Sequence, residues 1–303
     1  MEEAGKISIL LVSFLIVLAI VVGNILTIIA VLRKPKMGTV SNQFVLGLAI
    51  ADLLVAFALP YNLIVIFFVS PKMKFTYPEF VGSCVAPLMP LIVSSIASNL
   101  NLLLIGMDRL YAVSNPLSHR AFMSRRKARL AVCCSFLIAT FMSSLLFILN
   151  DWKEDEESPC IKTNMSFVYY SCVLLPTFVM TIILLFIAYG KILHVAATVS
   201  TNAKKSLKMV SLIISCYCIC WLPFMIRLFI EQYDKDNHNF QSNTALYYAQ
   251  IGTFLLMCSN SFMNPIIYTM KSGDFRKAYR EIILCKKEVV AQDGSKQATS
   301  NDA

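Results

Sequence analysis

Seven long apolar stretches follow one another along this chain, and each is long enough to cross a lipid bilayer. A bilayer core of about 30 Å needs roughly 20 consecutive apolar residues in a helix. The stretches cover residues 7–32, 44–69, 81–105, 130–149, 167–195, 207–230 and 245–270. The sequence therefore predicts an all-α membrane protein whose core is a bundle of seven transmembrane helices.

The composition supports a membrane protein and excludes the soluble classes. Apolar residues make up 57% of the chain and charged residues only 15%, whereas a soluble domain carries about 25% charged residues. Disordered chains are poor in the aliphatic and aromatic side chains that are abundant here. The joints between the stretches are short, so we expect one membrane domain over residues 1–285 and a flexible tail over residues 286–303. A short amphipathic helix at about residues 272–284 ends the membrane domain.

The basic residues are distributed unequally over the two sides of the predicted bundle. Joints alternate sides, and 20 of the 27 lysines and arginines fall on the side that holds the C-terminal tail. Positively charged joints stay in the cytoplasm, which predicts an extracellular N-terminus and a cytoplasmic C-terminus. The net charge of +9 is then a topology signal and a contact with anionic membrane lipids, and not a nucleic-acid surface.

Four side chains near the membrane surface carry predictions of covalent modification. Cys84 and Cys160 both fall on the extracellular, oxidising side, where a disulfide between them is favoured. Asn164 begins a glycosylation sequon in the same joint as Cys160. Cys285 follows the amphipathic stretch, where palmitoylation and an unmodified thiol are equal alternatives.

Polar residues inside the spans are costly in a bilayer, and so they are candidates for function by default. The sixth and seventh spans also hold a proline, which removes a backbone hydrogen bond and permits a kink. The segments concerned are Gly23-Asn24, Asp52, Asp108-Arg109, Cys220-Trp221-Leu222-Pro223, Asn260-Ser261 and Asn264-Pro265-Ile266-Ile267-Tyr268.

The order and spacing of these motifs resemble those of the rhodopsin-like (class A) G-protein-coupled receptors. The resemblance runs from Gly23 to the short amphipathic helix, and the short joints look most like the adenosine, melanocortin and cannabinoid branch. It implies a multi-pass receptor of the plasma membrane that binds an extracellular ligand and activates a heterotrimeric G protein.

Two other classes of protein, enzymes and membrane transporters or channels, are alternatives to a receptor. An enzyme is disfavoured, because the three histidines lie in separate joints or boundaries and no cysteine pair has metal-binding spacing with a histidine partner. A membrane transporter or channel is the alternative from a different class. The sequence lacks the inverted repeats and paired broken helices that are typical of transporters.

By resemblance to the family, a set of polar side chains forms a core that holds one sodium ion between the helices. Oxygen ligands around a single carboxylate suit such a hard cation. A water-filled hydrogen-bond network without an ion is the alternative, and no other cofactor is expected. The residues concerned are Asn24, Asp52, Ser98, Asn260 and Asn264.

The same resemblance makes Asp108 and Arg109 the contact with the G protein, reached when the sixth span swings outward. The alternative is an ordinary boundary arginine that pairs with Asp108 and extends to the headgroups. Some relatives lock this arginine with an acid on the sixth span, and Ala203 and Lys204 stand in that region here. We therefore expect no such lock, and with it an elevated basal activity or a divergent subfamily.

Four further residues carry activation by resemblance. Trp221 is expected to be the packing switch beneath the ligand, with Pro223 as the hinge of the sixth span; a plain buried tryptophan is the alternative. Pro265 breaks the seventh span, and Tyr268 then swings inward to support the active state. For Tyr268 the alternative is an interfacial tyrosine of the aromatic belt.

The predicted ligand pocket lies between the extracellular halves of the spans. Family members that bind amines carry an aspartate in the third span, but residues 88–95 contain no acid. Retinal needs a lysine in the seventh span, and residues 247–257 contain none. A small neutral or lipid-like ligand is favoured, with an amine or a peptide as alternatives. The candidate lining is Asn62, Leu91, Ser95, Met225, Arg227, Leu228, Gln250 and Phe254.

Overall fold

The computed structural model describes residues 3–68, 81–150, 166–198, 201–233 and 244–285, together with Thr76 and Glu79. These residues are almost entirely helical, and within them seven long helices are followed by one short helix. The helices are α1 Glu3–Arg33, α2 Val40–Phe68, α3 Met89–Ser114, α4 Arg125–Ser144, α5 Leu175–Thr198, α6 Thr201–Tyr233, α7 Thr244–Lys271 and α8 Gly273–Ile283. The predicted bundle of seven spans with a short C-terminal helix is thereby confirmed.

Shorter helical segments connect or extend these helices. One of them, which we call the loop helix, covers Pro116–Phe122 between α3 and α4. The others are the 3₁₀ turns Pro35–Met37, Ala86–Leu88 and Leu145–Phe147, the π-helical turns Val81–Val85 and Tyr170–Leu174, and the single α turn Phe167–Tyr169.

Helix α3 lies at the centre of the bundle. It contacts α2, α4 and α5, and it touches α6 as well. Around it, α1 packs on α2 and α7, α6 packs on α5 and α7, and α2 also packs on α4 and α7. The apolar stretch that predicts this span ends at Ile105, but the helix continues to Ser114. Asp108 and Arg109 therefore lie within α3 and not at its end.

Many large apolar side chains point away from the bundle. Phe57, Leu137 and Phe141 are 78%, 70% and 67% exposed, which is costly in water and matches the hydrocarbon of a bilayer. Six of the described helices are long and apolar enough to cross a membrane. Helix α7 is not one of the six, because it carries polar side chains; Asn260 and Asn264 among them are buried inside the bundle.

Gly23 marks a close approach of α1 to Pro265 on α7. A Cβ atom on Gly23 would lie 2.9 Å from Cγ of Pro265 and 3.0 Å from its Cβ. Only glycine leaves room for the proline ring there without a shift of one helix. Asn24, the next residue, is therefore held against the backbone of α7.

Helix α8 is fixed to the ends of α1 and α7. Phe275 and Tyr279 are buried on its inner face, and the Tyr279 hydroxyl bonds to Oγ1 of Thr27 on α1. Burial raises the pKa of Tyr279 to about 12, so the phenol keeps its proton at neutral pH. Lys34 and Glu281 form an ion pair of 2.9 Å that joins the end of α1 to α8.

Candidate functional site

Asp52 lies in the middle of α2 and is fully buried. Oγ of Ser98 on α3 donates a hydrogen bond of 3.2 Å to its Oδ1, and Nδ2 of Asn264 on α7 donates one of 2.8 Å to its Oδ2. The side chain of Ser261 on α7 lies close enough to this carboxylate to interact with it. One carboxylate therefore joins three helices, and in the described part of the chain all of its hydrogen-bond donors are neutral.

The other two residues of the predicted polar core lie nearby but play different parts. Nδ2 of Asn24 donates to the carbonyl of Ile20 at 3.0 Å and to that of Ser261 at 3.1 Å. Asn24 therefore joins α1 to the backbone of α7 and does not bond to the carboxylate of Asp52. Asn260 is also buried, but within the described residues no hydrogen bond joins it to Asp52.

The chemistry of this core fits a hard monovalent cation. A buried carboxylate is costly unless an ion, a proton or a dense set of hydrogen bonds compensates it. The hydroxyl groups of Ser98 and Ser261 place two further oxygens beside the Asp52 carboxylate. A site for a transition metal does not fit, since no group of three His, Cys, Asp or Glu side chains comes together among the described residues.

Ser261 is a member of this core that sequence reasoning missed. In the sequence it stands out only as the neighbour of Asn260. The signal was its spacing: Ser261 precedes Asn264 by three residues, so both side chains lie on one face of α7.

At the other end of α3, Asp108 is engaged by two residues from other elements. Oγ of Ser41, near the start of α2, donates to Oδ2 at 2.5 Å, and Nε2 of His119 in the loop helix bonds to Oδ1 at 2.9 Å. The alternative interpretation is an ion pair between Asp108 and Arg109, but the structure does not form this pair. Sequence reasoning missed Ser41 and His119, because neither lies near Asp108 in a recognisable motif.

Arg109 is half-buried, and its Nε has no hydrogen-bond partner. Among the described residues no acidic side chain pairs with it. Ala203 and Lys204 lie on α6, but their side chains fall outside the described residues. The expected absence of a lock on Arg109 therefore stays a prediction as far as α6 is concerned.

Tyr268 lies between the two polar regions. It is buried, its hydroxyl has no hydrogen-bond partner, and its ring stacks on Phe275 with centroids 5.3 Å apart. The hydroxyl is within electrostatic range of both Asp52 and Arg109. A tyrosine of the exposed membrane interface would not be enclosed in this way, so that alternative does not fit.

Trp221 sits in a group of aromatic rings between α5, α6 and α7. Its ring centroid lies 5.8 Å from Tyr217, 6.2 Å from Phe178 and 6.5 Å from Phe224. Phe224 in turn lies 6.4 Å from Phe254 on α7. The indole nitrogen of Trp221 is buried without a hydrogen-bond partner, so the ring is held by packing alone. Pro223 follows inside α6 and interrupts its hydrogen bonding.

The predicted pocket residues of α2 and α3 use their polar groups locally. Nδ2 of Asn62 donates to the carbonyls of Ala58 at 2.8 Å and of Pro87 at 3.0 Å. Oγ of Ser95 donates to the carbonyl of Leu91 at 2.7 Å, and Leu91 itself is buried. These residues therefore offer a mostly apolar surface to a ligand.

The pocket residues of α6 and α7 add one charged pair to this apolar surface. Met225 and Leu228 are buried, and Gln250 and Phe254 are half-buried. Arg227 pairs with Glu231 one turn further along α6 and lies 5.2 Å from the centre of the Phe224 ring. The hydroxyl of Tyr170, in the π-helical turn before α5, donates to the carbonyl of Met225 on α6 at 3.2 Å, a contact that sequence reasoning missed.

The structure reaches only part of the predicted modification sites. Cys84 is disulfide-bonded, while its predicted partner Cys160 and the sequon residue Asn164 lie outside the described residues. Cys285 follows α8 as an exposed free cysteine. The pairing, the glycosylation and the acylation stay predictions.

Comparison with known proteins adds an independent line of evidence. Residues 23–268 match the family described as 7 transmembrane receptor (rhodopsin family). The chain is 25% identical over 284 residues to the allatostatin-A receptor of Bombyx mori, which covers 87% of this chain and 76% of that relative. It is 27% identical over 280 residues to somatostatin receptor type 5 of Bos taurus, which covers 88% of this chain and 73% of that relative. Neither name belongs to the branch that the short joints favoured.

Proposed function

The chain belongs to the rhodopsin family of seven-transmembrane receptors, and we propose that it activates a heterotrimeric G protein when an extracellular ligand binds. In this proposal the N-terminus is extracellular and the C-terminus is cytoplasmic, as the distribution of basic residues favours. Like these two relatives, the chain is a receptor and not an enzyme.

The observation that carries the proposal is the state of Arg109. Its neighbour Asp108 is engaged by Ser41 and His119, and its own guanidinium has no acidic partner in the described part of the chain. A half-buried arginine without a counter-ion is costly unless it meets a partner in another state. The G protein is the partner that supplies acceptors once the cytoplasmic ends of the helices separate.

Helix α6 is the element that transmits the ligand's effect. A ligand that shifts Trp221 changes the packing of Tyr217 and Phe224, which lie on the same helix. Because Pro223 weakens α6 there, the cytoplasmic half of the helix swings away from α3 and exposes Arg109. Tyr268, whose hydroxyl has no partner, then turns inward and supports the open arrangement. The ligand biases this equilibrium only through its different affinity for the two arrangements.

The ligand that the lining supports best is a small neutral or lipid-like molecule. Leu91, Met225 and Leu228 are buried apolar residues, and the amide of Asn62 is already bonded to backbone carbonyls. The one charged group of the lining, Arg227, is neutralised by Glu231. An amine or a peptide is the alternative, and the names of the relatives make allatostatin-A and somatostatin the first such probes to test.

In the resting arrangement we propose that Asp52, Ser98 and Asn264 hold a sodium ion, with Ser261 as a further ligand and Asn24 and Asn260 beside them. The buried carboxylate with only neutral donors supports this assignment. The ion supplies the positive charge that a buried carboxylate otherwise lacks.

A screen of cells that express the chain with sensors for each G-protein class tests the proposed function. The library holds neutral and lipid-like small molecules, amines, allatostatin-A and somatostatin. A neutral or lipid-like hit that activates one class supports the proposal. Solute or ion flux in proteoliposomes, without activation of any G-protein class, would instead support the transporter or channel alternative.

A further inference from the structure

A second group of buried polar side chains lies between α3, α5 and α6. Asn99 on α3, Thr181 on α5 and Tyr217 on α6 are only 3%, 1% and 0% exposed. Asn99 and Thr181 both lie close enough to the Tyr217 hydroxyl to interact with it. We call these three residues the polar triad. It joins α5 and α6 to α3, whereas the core around Asp52 joins α2 and α7 to α3.

Two atoms of the polar triad have no direct partner. Oδ1 of Asn99 and the hydroxyl of Tyr217 are buried, and neither makes a hydrogen bond to any described residue. The side chains therefore approach the Tyr217 hydroxyl without bonding to it directly. Buried polar groups in folded proteins are hydrogen-bonded with few exceptions, to protein or to ordered water. The two unpaired atoms therefore point to a further partner within the triad.

The donors and acceptors of the triad match one water molecule. Oγ1 of Thr181 already donates its proton to the carbonyl of Thr177 at 2.7 Å, so its oxygen can only accept from another partner. Oδ1 of Asn99 is also an acceptor, while the Tyr217 hydroxyl can donate. A water molecule that donates to Asn99 and Thr181 and accepts from Tyr217 therefore makes three hydrogen bonds, the usual number for a buried water.

The surroundings of the triad suit a neutral occupant. None of the three side chains is charged, and a cation enclosed without a counter-charge would be costly. The rings of Phe178 and Trp221 border the site, with centroids 5.6 Å and 5.8 Å from that of Tyr217. In such apolar surroundings a hydrogen bond is stronger than in bulk water.

We infer that the polar triad is a binding site for one water molecule, which fastens α6 to α3 and α5 in the resting arrangement. The site is distinct from the Asp52 core, because Ser98 and Asn99 are consecutive on α3 and so point about 100° apart. Tyr217 precedes Pro223 and belongs to the half of α6 that swings. The effect of the water on that swing rests on the proposed function.

The water is tested first by a structure of the resting receptor at a resolution that shows ordered water. The expected result is density with contacts of about 2.7–3.0 Å to Oδ1 of Asn99, Oγ1 of Thr181 and the Tyr217 hydroxyl. A direct hydrogen bond from Tyr217 to Asn99, with no density between them, overturns the inference. This measurement does not depend on any G protein.

Two substitutions test what the water does. Tyr217→Phe and Thr181→Val each remove one hydroxyl and nearly keep the shape of the side chain. Basal nucleotide exchange on purified G protein, by receptor in nanodiscs, measures how readily α6 swings. Each single variant should raise basal exchange about threefold to tenfold, the factor for one lost hydrogen bond. The double variant should exceed the larger single effect by less than about twofold, because both hydroxyls bind the same water.

Each substitution has a matched control. Tyr169→Phe removes the hydroxyl of another fully buried tyrosine, which bonds at 3.3 Å to a backbone carbonyl of α4. Thr177→Val removes a hydroxyl one turn before Thr181, which bonds at 2.6 Å to a backbone carbonyl of the preceding turn. Neither control residue belongs to the triad, so both variants should keep the basal exchange of the wild type.

Other outcomes overturn the inference. If neither Tyr217→Phe nor Thr181→Val raises exchange, or if their effects multiply in the double variant, the shared water does not fasten α6, while the proposed function stands. If the wild type drives no exchange on any G-protein class, the proposed function falls, and density at the triad alone decides the water site. If Thr181→Val fails to fold, Tyr217→Phe and the density still decide.

Discussion

Asn264 on α7 donates a hydrogen bond of 2.8 Å to the carboxylate of Asp52 on α2. Both residues are buried, and Pro265 follows Asn264 directly. Any movement of α7 about that proline changes the distance between the amide and the carboxylate. This contact therefore connects the centre of the bundle with Tyr268 and, through it, with α8.

Asp52→Asn removes the negative charge and keeps the size of the side chain, so it should abolish a response to sodium. For the wild type we expect sodium chloride to lower basal nucleotide exchange about tenfold relative to choline chloride, a coupling typical of linked sites. The variant should reach the cell surface and show no sodium effect. Ser143→Ala is the control, because Ser143 is equally buried but bonds only within its own helix, to Ala139 at 2.7 Å. Equal sodium responses of wild type and Asp52→Asn would reduce Asp52 to a structural carboxyl.

Gly23→Ala should destabilise the bundle, because the new Cβ would lie 2.9 Å from Cγ of Pro265. The expected loss is about 1–3 kcal/mol, the range for an overpacked core, and thermal unfolding in detergent measures it. Gly252→Ala on α7 is the matched control, since a Cβ there meets no atom within 4 Å. Unfolding at the same temperature in both variants would show that α1 and α7 are not in close contact at Gly23.

Tyr279→Phe should loosen α8 from α1. Oγ1 of Thr27 already donates to the carbonyl of Gly23 at 2.9 Å, so it accepts from the Tyr279 hydroxyl. Loss of this bond should lower the free energy of opening of α8 by about 1 kcal/mol. The amide hydrogens of α8 should then exchange faster. Since the pKa of Tyr279 is raised to about 12, the phenol stays protonated and the hold of α8 should not change up to about pH 9.

A double-mutant cycle with Thr27→Val provides the control for this hydrogen bond. Once Thr27 is replaced, Tyr279→Phe should have little further effect, because the partner is already lost. Fully additive effects of the two substitutions would contradict the contact between α1 and α8.

Cys84→Ser and Cys160→Ser should impair surface expression to a similar degree, because either change leaves the same predicted disulfide unmade. Loss of a native disulfide typically costs about 2–5 kcal/mol. Flow cytometry of an N-terminally tagged receptor measures the surface level. Cys172→Ser, at an exposed free cysteine, should have no effect. A normal level for one variant and a low level for the other would exclude this pairing.

The sequence predicts the helices well because hydropathy acts over whole segments. Each predicted span contains one long helix, and the third, fourth and fifth spans also contain short 3₁₀, π or α turns. Helix α3 continues past its apolar stretch to Ser114, and there Ser41 and His119 bond to the Asp108 carboxylate. By resemblance to the family, the motifs also predict that Asp52, Ser98 and Asn264 lie in one core.

Contacts between distant residues could not be predicted in this way. His119 bonds to Asp108 because the loop helix packs on α3, and Tyr170 bonds to the carbonyl of Met225 from the π-helical turn that precedes α5. Neither contact follows from periodicity or from a short motif. Packing, and not the local sequence, likewise determines that α1 and α7 meet at Gly23 and Pro265.

The central claim is that this chain activates a G protein through Arg109. The direct measurement is nucleotide exchange on each class of purified G protein by the receptor in nanodiscs, with Arg109→Ala beside the wild type. Arg33→Ala is the control for loss of one exposed basic charge at the same end of the bundle. We predict that the wild type and Arg33→Ala accelerate exchange on one class without added ligand, and that Arg109→Ala loses about tenfold or more of this rate, as removal of a charged contact predicts. No acceleration on any class, or equal rates for Arg109→Ala and the wild type, would contradict the account.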